Sequence, residues 1–364
     1  MTKKAKKKLK RFGIGTITLA TVVLLIVLTR DSAEITSIAI SQVRVERLRD
    51  GPIVDASTHP SIGDNIQGPS LIRVPDWVEN PLGHYYLYFA DHKGEYIRLA
   101  YADDLLGPWQ VHVPGTLRLE ESHFLTEPPE VNMFEAMLIR ARGKMLGIKH
   151  DLLASLSTPH IASPDVHVDE ENQRIVMYFH GLESMATQLT RVATSPDGIQ
   201  FEAQDEILGR SYMRVFQHDG RTYAMAMPGQ FYRSLDGLGG FEEGPLLFNE
   251  NMRHAALLKR NDTLYVFWTQ VGDTPERILL STINLGKDWS EWSPGKPVEV
   301  LRPALAWEGA DAPLEPSTRS VVYGKANQLR DPAIYVEGDR TYLLYAIAGE
   351  SGIARADLTF SEEG

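Results

Sequence analysis

Five times along the chain a polar turn introduces an aromatic and aliphatic run: GHYYLYFAD at 83–91, QRIVMYFHG at 173–181, GRTYAMAMP at 220–228, NDTLYVFWT at 261–269 and DRTYLLYAI at 339–347. Each run has the length and composition of a buried strand. A shorter apolar segment precedes each (SLIRV, DVHVD, MRVFQ, AALLK, AIYVE) and a third follows, so the unit is a meander of antiparallel strands. Five meanders in one chain predict an all-β fold, a five-bladed β-propeller, because radial repetition removes the exposed sheet edges of a lone meander. The last copy ends near Asp357 without an obvious fourth strand. Gln42 to Leu48 (QVRVERL) alternates as an edge strand would, and is predicted to complete the last blade and close the ring. The long inserts at 110–160 and 285–328 are expected to carry outer strands and loops over one face. Beyond the N-terminal region no long stretch has helical periodicity, so helices should be few and short.

The N-terminal region stands apart. A basic run, MTKKAKKKLKR, precedes Phe12 to Leu28, seventeen residues without a charge. No small-x-small cleavage site follows, since the run leaves through Thr29, Arg30 and Asp31, so the segment reads as a signal anchor rather than a cleaved signal peptide. This divides the chain into residues 1–30, basic region and anchor, and residues 31–364, the propeller. By the positive-inside tendency the propeller is expected outside the cytoplasmic membrane, periplasmic or extracellular. Setting aside the seven Lys and Arg of residues 3–11 takes the net charge from −11 to −18, and an acidic surface without a basic stripe argues against a nucleic-acid partner. The chain has no cysteine, which excludes disulfides, thiolate metal sites and thiol nucleophiles.

In a propeller the first strand of each blade lies nearest the axis, and its start faces one mouth of the central channel. Aligning the copies on their turns pairs His254 with Asp331 and Arg253 with Arg330. It puts Tyr212 at the same place in the third copy, Asp165 there in the second after a one-residue gap, and Gly68 in the first. The expected ring is therefore Gly68, Asp165, Tyr212, His254 and Asp331. Ionisable groups at the narrow end of converging strands are costly unless partnered or used in chemistry. Asp at a strand start also caps turns or holds arginines, and that bland role competes for Asp165 and Asp331. Loops expected at the same mouth add His92, Lys93 and Glu95, His180 and Glu183, Gln270 and Asp273, and Glu350, beside Gln67, Arg214, Arg253 and Arg330. A polar cleft with positive groups suits a hydroxylated, even anionic, ligand.

The phrases RDPAIYVEGDRTYLLYA, SPDVHVD and VATSPDGIQF resemble the blade phrases of the five-bladed propeller glycoside hydrolases: the arabinanase, xylosidase, invertase and anhydrogalactosidase families. The resemblance spans Asn65 to Leu358. It implies a carbohydrate partner, and an Asp at the start of an inner strand as base or nucleophile, with a second Asp tuning it and a Glu as acid. Two departures follow: Gly68-Pro69 stands where arabinanase-like members carry Asp-Pro, and no Glu begins an inner strand. Anhydrogalactosidases are similar in using a His as acid.

On this basis the expected function is a glycosidase acting on a poly- or oligosaccharide. Inversion is preferred because groups on different blades meet its wider spacing, about 6.5–9.5 Å. Asp165 is the expected base, Asp331 the orienting carboxylate, and His254 or Glu183 the acid. His92, Lys93, Tyr212, Arg214, Arg253, Arg330, His180 and Gln67 are expected to bind substrate. No metal or cofactor is required, although His254 could instead hold an axial Ca²⁺. A glycoside phosphorylase, with phosphate held by Arg253, Arg330 and Lys93, and a catalytically silent glycan-binding propeller both stay open.

Overall fold

The computed structural model describes residues 43–47, 51–145, 148 and 150–360. Every apolar run of the repeat is the second strand of an antiparallel blade with four strands in its main order; Gly209–Arg210 in blade two and Val54–Asp55 in blade five each add a short fifth. Blade one runs Gln67–Arg73, Tyr85–Ala90, Tyr96–Ala102 and Gln110–Arg118; blade two runs Ile161–Asp169, Arg174–Ser184, Thr187–Ser195 and Glu202–Ala203. Blade three runs Arg214–His218, Arg221–Ala226, Gln230–Ser234 and Glu242–Leu246; blade four runs Met252–Arg260, Thr263–Gln270, Ile278–Asn284 and Val298–Leu301. Blade five has three strands from the C-terminal part, Arg330–Glu337, Arg340–Ala346 and Gly352–Phe360. Its fourth is Val43–Arg47, which pairs antiparallel with the last of them from Val43 opposite Phe360 to Arg47 opposite Ala356. Residues 43–47 thus close the ring, as the alternation of that segment predicts.

The core follows from this closure. Five apolar clusters fill the five gaps between neighbouring blades. The second strands contribute residues with no exposed surface, such as Tyr86, Tyr88, Phe89, Phe267 and Tyr345. Each blade therefore buries both faces of its central strands, and no blade has a complete core by itself.

The two inserts behave differently from the blades. Residues 119–158 include helix α1 (Met133–Met145) and helix α2 (Leu152–Ser157), the latter capped by Asp151, whose carboxylate accepts from the Leu153 amide. The thirteen residues of α1 depart from the outer strands and loops expected of this insert. The second insert, within 302–329, lays a strap over the axis. Arg253 donates to the Thr318 carbonyl, Arg330 to the Ser320 carbonyl and Asn65 to the Val322 carbonyl, so the strap crosses blades four, five and one. A hydrogen bond of 2.7 Å between Ser155 Oγ and Ser320 Oγ joins α2 to that strap. Among the described residues no helix is long and apolar enough to cross a membrane. The expected anchor, residues 12–28, lies outside the described residues.

Candidate functional site

The inner strands begin with a shared irregularity. In blades one, two, four and five the ladder to the second strand breaks for two residues: between Gln67 and Ser70, Ala162 and Asp165, Arg253 and Ala256, and Arg330 and Ala333. The first residue of each break has a left-handed backbone: Gly68 at φ 64°, Ser163 at 52°, His254 at 47° and Asp331 at 47°. Tyr212, two residues before the blade-three ladder, has φ 61°. Non-glycine residues adopt this conformation at a cost of roughly 1–2 kcal/mol each. Four of them at one mouth mark a feature the surrounding structure enforces, and a bulge of this kind re-aims a side chain.

The ring is therefore Gly68, Ser163, Tyr212, His254 and Asp331. This corrects the placement of Asp165: it stands two residues further on, level with Ser70, Arg214, Ala256 and Ala333. The hairpin between Asp169 and Arg174 has two more loop residues than its counterparts in blades four and five, and the turn-anchored alignment is displaced by them. The X-Pro pairs Gly68-Pro69, Ser163-Pro164 and Asp331-Pro332 are the sequence signal that aligns the strands correctly. Gly68 also has a spatial reason. A Cβ there would sit 2.9 Å from the Ser163 Cα, so blades one and two approach too closely for the aspartate that the resemblance would put there.

The front mouth, where these strands begin, gathers most of the expected binding residues. The Tyr212 hydroxyl donates to Asp331 Oδ1 at 2.9 Å, and His254 Nε2 lies 3.8 Å from the same oxygen. Asp331 Oδ2 is buried and has no hydrogen-bond partner among the described residues. Burial, reinforced by the charge of Glu350, pushes the Asp331 carboxyl up to about 6. Around it stand rings held neutral. His254 is pushed well below the ordinary imidazole value by burial and by Arg253 and Arg330, and His180 by burial and by His160 and His92. His160, which the sequence did not single out, falls to about 3 through burial and the nearby Lys93. Lys93 itself is lowered to about 8 by burial.

Beneath the mouth runs an arc of ion pairs. Arg253 grips Glu276 with both Nε and Nη2. Arg330 Nε lies 3.2 Å from Glu276, and its Nη1 donates to Glu350 at 2.6 Å. Glu350 also accepts from Asn65 at 2.8 Å and meets His92 Nδ1 at 3.2 Å. Burial alone would raise both carboxyls. The cationic neighbours outweigh it, so Glu276 and Glu350 are held below the ordinary range. Asn65 and Glu276 were not foreseen, since their partners are distant in sequence.

Other expected residues have different surroundings. Arg214 gives Nε to the Ala255 carbonyl and Nη1 to the Ser163 and Pro164 carbonyls, and its guanidinium lies 4.2 Å from the Tyr212 ring centre. It ties blades two, three and four together at the axis. Gln67 is buried and accepts from Ser163 Oγ at 3.4 Å. Glu183 is held by Arg191 at 2.7 Å and shares no hydrogen bond with the Asp331 group among the described residues. Glu95 is exposed, and Asp273 lies 3.3 Å from Arg277.

Asp165 faces the opposite, rear mouth, where a cavity of about 480 Å³ is lined by Ser70, Asp165, His167, Arg214 and Tyr335 among others. Its Oδ2 meets His167 Nε2 at 2.8 Å and accepts from the Val215 amide at 2.8 Å. Burial would raise Asp165 and lower His167, but each outweighs that for the other: Asp165 is lowered and His167 raised. Among the described residues no group of three or more His, Asp or Glu converges to hold a metal ion.

No protein-family model matches the chain. The uncharacterized protein R118 of Acanthamoeba polyphaga mimivirus is 36% identical over 320 residues, covering 81% of this chain and 83% of the viral one. Among solved structures, a glycoside hydrolase of the GH130 family of mannoside phosphorylases, which targets β-1,2 mannosidic linkages in Candida mannan, superposes with a TM-score of 0.56 at 11% identity. It covers 87% of this chain and 94% of that one. An N-acetylgalactosamine deacetylase from F. plautii gives 0.51 at 12% identity, over 87% and 96%. An exo-1,5-α-L-arabinanase from a bovine ruminal metagenomic library gives 0.50 at 12% identity, over 82% and 95%. At such identities the likeness establishes the five-bladed propeller fold that this chain shares with them.

Proposed function

We propose that this chain, which belongs to the family of the mimivirus protein R118, is a glycan-active enzyme that cleaves a glycosidic bond at the front mouth, with Asp331 as proton donor. The observation that carries this reading is the state of Asp331: a buried carboxyl raised to about 6, with Oδ2 unpartnered and Oδ1 held by Tyr212. Below that value the acid is protonated and can pass its proton from Oδ2 to the leaving oxygen of the sugar. The Tyr212 hydroxyl then steadies the carboxylate left behind, and neutral His254 adds no opposing charge. The strap over this mouth is joined to α2 by the Ser155–Ser320 hydrogen bond.

A second reading, phosphorolysis, is favoured by the shortage of a second carboxylate. Glu276 and Glu350 are committed to Arg253 and Arg330, which leaves no obvious base to activate water. A phosphate nucleophile needs no such base. Lys93, lowered to about 8, is then a cationic group beside the mouth that could meet it. Reducing-end release from a panel of purified oligosaccharides, with and without phosphate, tests both. Turnover lost in Asp331→Asn supports the assignment, and dependence on phosphate selects the second reading. Tight glycan binding without cleavage by the parent would overturn both in favour of a binding propeller.

A further inference from the structure

Helix α1 has two apolar faces, and one of them meets helix α2. Ile139 and Gly143 lie on its inward side, where a Cβ on Gly143 would come within 2.9 Å of Leu152 of α2. The outward side carries Met133, Phe134, Met137, Leu138 and Met145, which are between 50% and 89% exposed. At 100° per residue these five and Ala141 share an arc of about 140°. On the same projection Arg140 stands about 20° outside one edge of that arc, Lys144 about 20° inside that edge and Arg142 about 40° beyond the other, all exposed. Arg140 also lies 3.2 Å from Asp151, an exposed pair of little strength.

Five large apolar side chains open to water on one helix form a patch that a soluble surface rarely carries. In a chain of net charge −11 the same helix has three basic residues against one acidic, Glu135. An apolar arc bordered by basic side chains is the arrangement of helices that lie in the plane of a bilayer: the arc enters the acyl boundary and the basic groups reach back to anionic headgroups. A second copy of the chain fits less well, since a two-fold contact through this face would bring Arg140, Arg142 and Lys144 against themselves.

We propose that the outward face of α1 is a docking surface for an anionic lipid bilayer. Its occupant is the membrane interface rather than a protein groove. Because the chain has no cysteine, Ala141→Cys in the full chain places a single environment-sensitive fluorophore at the centre of the arc. Leu235→Cys, at an exposed site on blade three, serves as reference.

With vesicles of phosphatidylglycerol and phosphatidylcholine, the label at 141 should shift to the blue and become shielded from aqueous iodide, while the label at 235 should not change. Adding Arg140→Gln, Arg142→Gln and Lys144→Gln should weaken that response roughly a hundredfold in lipid concentration. Three outcomes would overturn the proposal: an unshielded label at 141 on vesicles that carry the protein, equal shielding on phosphatidylcholine alone, or shielding without vesicles that grows with protein concentration. The last would identify a second copy as the occupant.

Discussion

Asp331 and Asp165 stand on inner strands of blades five and two, around one axis, and burial presses both toward the neutral form. At the front mouth burial wins. Asp331 is raised, and His160, His180, His254 and Lys93 are all lowered, so every one of these groups is displaced toward its uncharged state. At the rear mouth pairing wins, and Asp165 and His167 are displaced toward their charged states. The difference lies in partners. Asp165 has an imidazole and a backbone amide on one oxygen, whereas Asp331 has a phenol on one oxygen and, among the described residues, no hydrogen-bond partner on the other. A fold that gives a buried carboxyl no ion pair with an arginine or lysine, while placing Arg330 next to it in sequence and turning that arginine onto Glu276 and Glu350, favours its protonated form.

The comparison breaks most visibly in turnover. Asp331→Asn keeps the shape and removes the acid, so kcat should fall by about 10²–10⁴-fold, the usual contribution of a positioned acid or base. Asp165→Asn should leave kcat within a few-fold of the parent. If the two variants lose activity equally while both remain folded, the rear mouth belongs to the site after all.

Stability should divide the same two residues by pH. A carboxyl raised from 3.8 to about 6 favours the folded state at low pH and loses that contribution as pH rises through about 6. The shift corresponds to about 3 kcal/mol. Asp331→Asn removes the titration, so it should be more stable than the parent in urea at pH 8 and nearly equal to it at pH 4. An identical difference at both values would show that Asp331 ionises freely. His160 acts in the opposite direction: its neutral form favours folding above about 6.5, and that contribution is lost as pH falls toward about 3.

A third test concerns the site that lacks an aspartate. Gly68→Ala should destabilise by about 1–3 kcal/mol, from a left-handed backbone together with the contact at Ser163 Cα. Gly68→Asp should be at least as damaging and should not raise activity. An active, stable Gly68→Asp variant would mean that blades one and two can separate, and that the ring has room for a second carboxylate.

How far the sequence reaches can be judged from particular residues. The blades were legible because a strand buried on both faces writes a long apolar run, and residues 43–47 were legible because an edge strand alternates. Helix α1 was hidden by its own second apolar face: with Ile139 and Gly143 on one side and Met137 and Leu138 on the other, the 3.6-residue period cancels. The ring was right at Gly68, Tyr212, His254 and Asp331 and wrong at Asp165, because the first hairpin of blade two, between Asp169 and Arg174, has four loop residues where those of blades four and five have two, and an alignment anchored on the turns cannot register that difference. The arc from Arg253 through Glu276 and Arg330 to Glu350 joins residues up to 97 positions apart if traced from Arg253 to Glu350, and such pairings are set by blade packing rather than by local pattern.

The smallest expected effect sharpens the rear mouth. Asp165→Asn retains an oxygen for the Val215 amide and loses the ion pair with His167, whose side chain is 41% exposed and therefore partly screened. The cost should be about 1 kcal/mol. Its pH dependence follows from the two shifts. The lowered Asp165 gives stability that is lost as pH falls through its folded value, and the raised His167 gives stability that is lost as pH rises through its own. The penalty of Asp165→Asn should thus be greatest between about 4 and 6.5 and should shrink on either side. In the parent, imidazole NMR should find His167 titrating above its ordinary value, and Asp165→Asn should bring it back down, while His180 and His254 stay neutral in both proteins. A His167 resonance that titrates identically in parent and variant would show that the pair does not govern the rear mouth, and the contrast between the two ends of the axis would then rest on Asp331 alone.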